Sequence, residues 1–98
     1  MIVIHVQVKV KPDQRSEFVT QATRESDIAR NYPGCARYNW SVDLRDQQVF
    51  ALYEEWDTQA SFDAYKVSDD FKQMGSNLMP LLAEEPQSSY YTAAPLAS

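Results

Sequence analysis

The chain has 98 residues, which is enough for one domain with a small hydrophobic core. Its formal net charge is −5, and no lysines or arginines cluster, so we expect no nucleic-acid partner and no anionic membrane. One cysteine and one histidine cannot supply an internal disulfide or a His/Cys zinc site, so we expect no bound metal. The absence of a signal-peptide pattern and of an apolar run of about 20 residues predicts a cytoplasmic protein without a membrane span.

Alternating aliphatic residues predict a first β-strand over residues 2–10. The aliphatic side chains share one face of this strand: Ile2, Ile4, Val6, Val8 and Val10. His5 falls on the opposite, mixed face, and we expect it to face a partner sheet rather than the helices. Pro12 ends the strand because it has no backbone N–H to donate.

A helix is predicted from about residue 14 to residue 31. Asp13 is a candidate N-cap, and the Pro33-Gly34 pair ends the helix. The predicted buried stripe follows the helical period and consists of Phe18, Val19, Ala22, Ser26, Ile28 and Ala29. The opposite face is charged, which is typical of a helix that covers one side of a sheet.

Residues 35–42 and 49–56 predict two antiparallel strands joined by the polar loop 43–47. The second of these strands has large apolar groups on both faces, which is typical of a central strand. Glu54 shares one face with Phe50, Leu52 and Trp56. Burying a carboxylate is costly unless it is paired or hydrogen-bonded, so Glu54 is a candidate for either a general base or a structural partner.

Two further helices and a last strand complete the pattern. Asp57 or Thr58 can cap the second helix, which carries Phe62 and Tyr65. Ser68 begins the third helix, whose predicted buried row is Phe71, Met74 and Leu78. Residues 88–93 predict a short strand, and residues 94–98 a tail that is flexible or exchanged with a partner.

The element order β-α-β-β-α-α-β is typical of a split βαβ, or ferredoxin-like, α+β fold over residues 1–98, with an antiparallel sheet and helices on one face. The uncovered face would carry Val3 and one of two rows. These rows are either Ala36, Tyr38, Trp40 and Val42, or Val49, Ala51 and Tyr53. Because exposing such an apolar face to water in a monomer is unfavourable, we predict a homodimer in which two sheets pack face to face.

Three segments resemble motifs of one known family. Residues 53–57 read Tyr-Glu-Glu-Trp-Asp, residues 33–38 read Pro-Gly-Cys-Ala-Arg-Tyr, and residues 62–71 form a helical segment that begins Phe-Asp-Ala-Tyr. Together with the element order, they resemble the antibiotic biosynthesis monooxygenase-like (ABM) domains of the dimeric α+β barrel superfamily. The resemblance covers nearly the whole chain, and it implies fold more strongly than chemistry because this superfamily hosts many functions.

The chain departs from the better-understood branches of that family. Tyr65 and Asp70 stand where two histidines are typical. The branch that oxidises polycyclic phenols without a cofactor uses a strand tryptophan, which is matched by Trp56. The haem-degrading branch has an axial histidine where this chain has Gly75, so the resemblance disfavours haem and we expect no cofactor.

The resemblance implies an oxidoreductase, namely a cofactor-independent monooxygenase acting on a small electron-rich aromatic such as a hydroquinone or a polycyclic phenol. The candidate catalytic residues are Trp56, Tyr65 and Glu54. The candidate substrate-binding residues are Lys72, Phe62, Leu52, Met74, Leu78 and Asn39. Each has a structural alternative: a core indole for Trp56, helix packing for Tyr65 and a solvated cation for Lys72.

Two other functions fit the same residues. The branch that degrades phospho-autoinducer-2 shares the Phe-x-x-Tyr-Glu strand found at residues 50–54, which suggests an isomerase for a small oxygenated metabolite. A non-enzymatic ligand-binding module is the third hypothesis, because both family histidines are replaced. Convergent polar groups in a pocket would favour an enzyme, and a wholly apolar pocket would favour a binding module.

Overall fold

The computed structural model describes residues 1–97, in which one antiparallel sheet is covered by helices on a single face. Its strands and α-helices are β1 (Ile2–Lys9), α1 (Arg15–Arg30), β2 (Cys35–Val42), β3 (Val49–Trp56), α2 (Gln59–Lys66), α3 (Asp69–Leu78) and β4 (Gln87–Thr92). The strand order across the sheet is β2-β3-β1-β4, and each neighbouring pair is antiparallel. The predicted ferredoxin-like α+β fold is therefore confirmed, with β3 and β1 at the centre of the sheet.

The start of α1 differs from the prediction. Asp13 does not cap this helix, because Pro12–Gln14 form a 3-10 turn and α1 begins only at Arg15. Gln14 occupies the N-cap position and makes no side-chain capping bond. Pro12 explains the difference, since its fixed φ suits the first position of a helical turn.

The start of α2 agrees with the predicted cap, and α3 begins at Asp69 with Ser68 as its N-cap. Thr58 Oγ1 accepts a hydrogen bond of 3.1 Å from the backbone N–H of Ser61. Ser68 Oγ accepts one of 3.2 Å from the backbone N–H of Phe71. Both caps satisfy an otherwise unpaired amide, which fixes where each helix begins above the sheet.

The buried side chains between sheet and helices form two groups. The Trp56 cluster consists of Ile4, Ala29, Tyr38, Leu52, Trp56, Phe62 and Tyr65. The Phe18 cluster consists of Val8, Val10, Phe18, Ala22, Phe50, Leu78 and Leu82. Strand β3 contributes to both clusters, which confirms that it is a central element of the core. Val19 was predicted to be buried, but it is 41% exposed.

The uncovered face of the sheet carries the second of the two predicted rows. Tyr38 is only 1% exposed beneath the helices, so the open face presents Val49, Ala51 and Tyr53 instead. His5 lies opposite Tyr53 on this open face, as predicted. The face is polar as well as apolar: the Tyr53 hydroxyl donates to Glu55 at 2.5 Å, and Arg37 pairs with the same carboxylate at 3.3 Å.

The chain after β4 has no regular secondary structure up to residue 97, and residues 94–97 are exposed. The predicted tail also includes Ser98, which lies outside the described residues. Among residues 1–97, no helix is long and apolar enough to cross a membrane.

Candidate functional site

Glu54 is the only residue of β3 that places a charged group among the buried side chains beneath the helices. It is 5% exposed, and its cross-strand neighbours are Ile4 and Tyr38. Its Oε1 accepts a hydrogen bond of 2.9 Å from Trp56 Nε1. No lysine, arginine or histidine among residues 1–97 lies within ion-pair distance of this carboxylate. The carboxylate is therefore compensated by an indole N–H rather than by a cation.

This environment changes how Glu54 ionises. Burial raises the pKa of the Glu54 carboxyl to about 7, against the smaller opposing effect of the hydrogen bond from Trp56. A carboxyl group with a pKa near neutrality can take up and release a proton at physiological pH. Glu54 is thus suited to general acid–base chemistry, which an ordinary surface glutamate is not.

Two buried phenols lie over the same region. Tyr65 stacks on Trp56 with ring centroids 5.2 Å apart and an interplanar angle of 23°. Burial raises the pKa of Tyr65 to about 12, and burial also raises the pKa of Tyr38 far above its ordinary value. Both hydroxyls therefore stay neutral at physiological pH and act as hydrogen-bonding groups rather than as bases.

Glu25 is a second buried acid, and it was not among the predicted site residues. It lies on α1, is 3% exposed, and accepts a hydrogen bond of 3.0 Å from Asn77 Nδ2 of α3. The helical spacing did indicate that this position is buried, because Glu25 falls three residues after Ala22 and four before Ala29, on the buried stripe of the helix. Together with burial and the charge of Glu54, Glu25 raises the pKa of Tyr65.

A cavity of about 80 Å³ lies between the sheet and α3, next to this region. Three predicted substrate-binding residues, Leu52, Met74 and Leu78, form part of its wall. The rest of the wall is Val6, Val8, Phe18, Trp40, Gly75, Met79, Leu82 and Pro86. The wall is apolar throughout and includes neither Glu54 nor Tyr65, so the closed cavity itself is of the kind expected for a binding module. An enzyme requires that a ligand also reach Glu54, which lies two residues after Leu52 on the same strand face, beside the Trp56 cluster.

The predicted site residues fall into three groups. Those in or beside the Trp56 cluster are Trp56, Tyr65, Glu54, Phe62 and Leu52. Met74 and Leu78 lie around the cavity with Leu52. Lys72 is exposed on α3, and Asn39 is exposed on β2, where its Oδ1 accepts a hydrogen bond of 3.1 Å from Arg30. The structure does not bring Lys72 or Asn39 to the other candidates.

Metal and haem ligands are scarce in this part of the fold. Within residues 1–97, no group of three or more His, Cys, Asp or Glu side chains could hold a metal ion. Gly75 lines the cavity and has no side chain that could ligate haem iron. The Trp56 cluster and its neighbour Glu54 supply hydrogen-bonding groups and one carboxyl group that can exchange a proton.

Comparison with known sequences points to one family. The sequence profile of the family described as antibiotic biosynthesis monooxygenase matches residues 1–76. The "Putative monooxygenase YcnE" of Bacillus subtilis is 28% identical over 72 residues, which are 74% of this chain and 76% of that protein. The uncharacterized protein sll1783 of Synechocystis is 28% identical over 93 residues, or 95% of this chain. The chain spans 63% of the length of sll1783, so that relative extends beyond the matched part.

Solved structures show the same fold. A crystal structure described as a "putative antibiotic biosynthesis monooxygenase" from Deinococcus radiodurans superposes with a TM-score of 0.92 at 18% identity, over 100% of this chain and 97% of that one. A conserved protein from Methanosarcina mazei superposes with a TM-score of 0.88 at 26% identity, over 92% of this chain and 89% of that one. These likenesses extend past residue 76, so they include the last strand of the sheet.

Proposed function

Because this chain belongs to the antibiotic biosynthesis monooxygenase family, we propose that it is a cofactor-independent monooxygenase for a small electron-rich aromatic, such as a hydroquinone or a polycyclic phenol. The observation that carries the proposal is Glu54, a buried carboxyl group whose pKa is raised to about 7 by burial. It supplies a base beside the largely apolar Trp56 cluster, where a phenol can lose its proton.

A base is the main requirement of such a reaction. A hydroquinone that loses a proton becomes an electron-rich phenolate, which can pass electrons to O₂ without a metal or a flavin. The substrate itself supplies all the electrons. One oxygen atom of O₂ becomes bonded to a ring carbon and the other leaves as water, so that the hydroquinone becomes a hydroxyquinone. The protein needs to hold the ring, favour the anion and exclude bulk water.

The residues of the Trp56 cluster suit these tasks. Glu54 would accept the phenolic proton, and the Trp56 N–H holds the carboxylate in place at 2.9 Å. Tyr65, which is neutral and stacked on Trp56, would donate a hydrogen bond to the phenolate oxygen. Lys72 and Asn39 lie outside this arrangement, and we assign them no part in it.

The substrate ring would reach this cluster from the cavity beside Leu52. The cavity of about 80 Å³ is smaller than the roughly 300–1,000 Å³ of typical ligand pockets, so binding requires α3 to move away from the sheet. Met74 and Leu78 of α3 would then form the apolar walls against the ring. The surface of α3 is also open at Gly75. A Cβ atom placed there would have no atom within 4 Å apart from the backbone of its own helix.

Oxygen uptake tests the proposal. The protein is treated with a chelator and freed of flavin, and uptake is then measured with a panel of hydroquinones and anthrones under ¹⁸O₂. We expect uptake above the autoxidation background, with one ¹⁸O atom in the product. The rate of oxygen uptake by Glu54→Gln should be at least about 100-fold lower than that of the wild type, which is the usual contribution of a general base.

The matched control is Glu84→Gln, which removes an exposed carboxylate on a loop and should leave the rate unchanged. No uptake with any substrate of the panel would overturn the oxygenase proposal. Uptake that is equal in wild type and Glu54→Gln would overturn the role of Glu54 while leaving an oxygenase.

A further inference from the structure

We propose that a groove between α1 and β2 binds a small planar aromatic carboxylate, with Arg15 as the cationic partner of the carboxylate. This α1–β2 groove has a volume of about 340 Å³, within the range of small-molecule sites. It lies on the edge-strand side of the sheet and shares Phe18 and Trp40 with the cavity beside Leu52, but neither Glu54 nor Trp56 lines it. The proposal therefore does not depend on the oxygenase activity proposed above.

The apolar part of the groove is made of aromatic rings. Phe18 packs edge-on against Trp40, with centroids 5.3 Å apart at 87°, and lies 4.8 Å from Phe50. Val19 and Val42 also line the groove, and they are 41% and 38% exposed. Phe18 and Phe50 are only 1% and 6% exposed, so they support the floor of the groove, and a flat aromatic ligand would cover mainly the two exposed valines. Such a surface favours a planar apolar body over a sugar or a peptide backbone.

The charge of the groove is positive although the protein is acidic overall. No Asp or Glu lines it, whereas the chain has 14 acidic and nine basic residues. Arg15 and Arg30 both line it. Arg30 is already engaged, since it donates to the carbonyl of Tyr38 at 3.0 Å and lies 3.5 Å from Asp27. The available cation is therefore at the Arg15 end.

Arg15 is held in place by neighbouring groups and has no acidic partner in the part of the chain that the structure describes. Its Nε donates to the carbonyl of Gln47 at 2.8 Å, and its guanidinium lies 5.4 Å from the centroid of the Phe50 ring. Among residues 1–97, no carboxylate lies within ion-pair distance of this guanidinium. The two terminal nitrogens remain able to donate to one carboxylate in the paired geometry that arginine favours.

Trp40 contributes a polar atom at the base of the groove. Its indole Nε1 is buried and has no hydrogen-bond acceptor among residues 1–97. A buried donor without a partner is unusual, and leaving it so costs roughly 1–3 kcal/mol. Trp40 lines both the groove and the cavity beside Leu52, so a ligand in the groove would reach this donor only if the indole ring turned to expose it.

The Arg15 guanidinium and the aromatic side chains of the groove together select one class of ligand. One unpaired guanidinium matches a single carboxylate, and phosphate esters usually require several cations. The ring floor matches an aromatic body of one or two rings. A naphthoate has both features, and naphthamide has the same shape without the charge.

The test uses the two tryptophans as reporters. In a ¹H–¹⁵N spectrum, the chain gives two indole N–H signals, which Trp40→Phe assigns. Titration with 2-naphthoate should shift the Trp40 signal saturably and leave the signal of Trp56, which is bonded to Glu54, in place. Arg15→Gln should weaken binding about tenfold, as expected for the loss of a charge-assisted contact. Arg24→Gln, an exposed cation on the same helix outside the groove, should bind like wild type.

Two measurements keep the proposal open to refutation even if Arg15→Gln folds poorly. The first is 2-naphthamide, which should bind wild-type protein about tenfold more weakly than 2-naphthoate. The second is the spectrum of each variant, which reports its fold directly. The absence of a saturable Trp40 shift, a shift confined to Trp56, or equal affinity for the acid and the amide would each overturn the proposal.

Discussion

At the scale of single residues, the proposed chemistry depends on Glu54 and on what surrounds it. The period-two alternation of β3 was sufficient to predict that Glu54 and Trp56 share a face. Alternation alone could not predict how deeply the carboxyl is buried, because that depends on the packing of α2 and α3 over the strand. Nor could it show that Trp56, rather than an arginine, would provide the hydrogen bond.

The raised pKa of Glu54 predicts a pH-dependent stability. Because the pKa rises from 4.5 to about 7 on folding, the folded state holds this proton more tightly than the unfolded state does. The resulting stabilisation is fully present below about pH 4.5 and is lost as the pH rises through about 7. Relative to Glu54→Gln, the free energy of unfolding of wild type should fall by about 3 kcal/mol between pH 4.5 and pH 8.

Urea unfolding of both proteins at several pH values measures this difference. Glu84→Gln serves as the control, since it removes a solvent-exposed carboxylate. A wild-type minus Glu54→Gln difference that stays constant from pH 4.5 to pH 8 would contradict the assigned environment of Glu54.

Trp56→Phe tests the hydrogen bond that Glu54 accepts. The Trp56 N–H stabilises the charged carboxylate and thereby lowers the pKa of Glu54, so its removal should raise that pKa further above about 7. Since the base must be deprotonated to act, the acidic limb of the rate profile should move to higher pH. The profile of oxygen uptake from pH 5 to pH 9 checks this shift, and an unshifted limb would show that Trp56 does not tune Glu54.

At the scale of elements, the two glycines of the chain have opposite roles. Gly34 lies between α1 and β2 with φ +87°, and its carbonyl accepts a hydrogen bond of 2.9 Å from Asp57 N–H. A Cβ at Gly34 would collide with Asp57 Oδ1 and with the side chain of Ser61. Gly75 lies inside α3, where a Cβ would face open space.

Alanine at each position should therefore change stability in opposite directions. Gly34→Ala should lower the free energy of unfolding by roughly 2–4 kcal/mol, through left-handed strain and a steric clash. Gly75→Ala should raise it by about 1 kcal/mol, because alanine is the better helix former and meets no neighbour. Parallel chemical denaturation of the two variants measures both effects. Changes of the same sign would contradict the local geometry.

Other element-level features show where sequence patterns succeed and where they do not. The caps at Thr58 and Ser68 were predictable from their residue types, because each satisfies an amide that any helix start leaves unpaired. The prediction of a cap at Asp13 was wrong, since the preceding proline begins a 3-10 turn. Glu25 was missed because a charged residue in an apolar stripe was not expected, and its partner Asn77 is 52 residues away in the sequence.

At the scale of the whole molecule, the open face of the sheet is the main surface left uncovered by helices. We propose that two copies pack these faces together to form a homodimer. Tyr53 is 38% exposed there, and Ala51 lies near the centre of the face, opposite Gln7 and Ser41. The mixture of apolar and polar groups on this face suits a dimer interface that a single added charge can dissociate.

Ala51→Glu should convert the dimer to a monomer, because it places an unpaired carboxylate at the centre of the proposed interface. Ala60→Glu makes the same substitution on the exposed side of α2 and should leave the dimer intact. Sedimentation equilibrium of the three proteins over a range of concentrations distinguishes the states. A monomeric wild type, or an Ala51→Glu dimer of unchanged affinity, would contradict the proposed interface.

The most direct test of the account is the titration of Glu54 itself, followed by the ¹³C chemical shift of its side-chain carboxyl group. Glu54→Gln identifies the signal by its disappearance. We predict a midpoint near pH 7, well above the ordinary value of 4.5. A midpoint near 4.5 would show that the carboxyl is charged and solvated throughout the physiological range, and it would remove the base on which the proposed oxygenase chemistry depends.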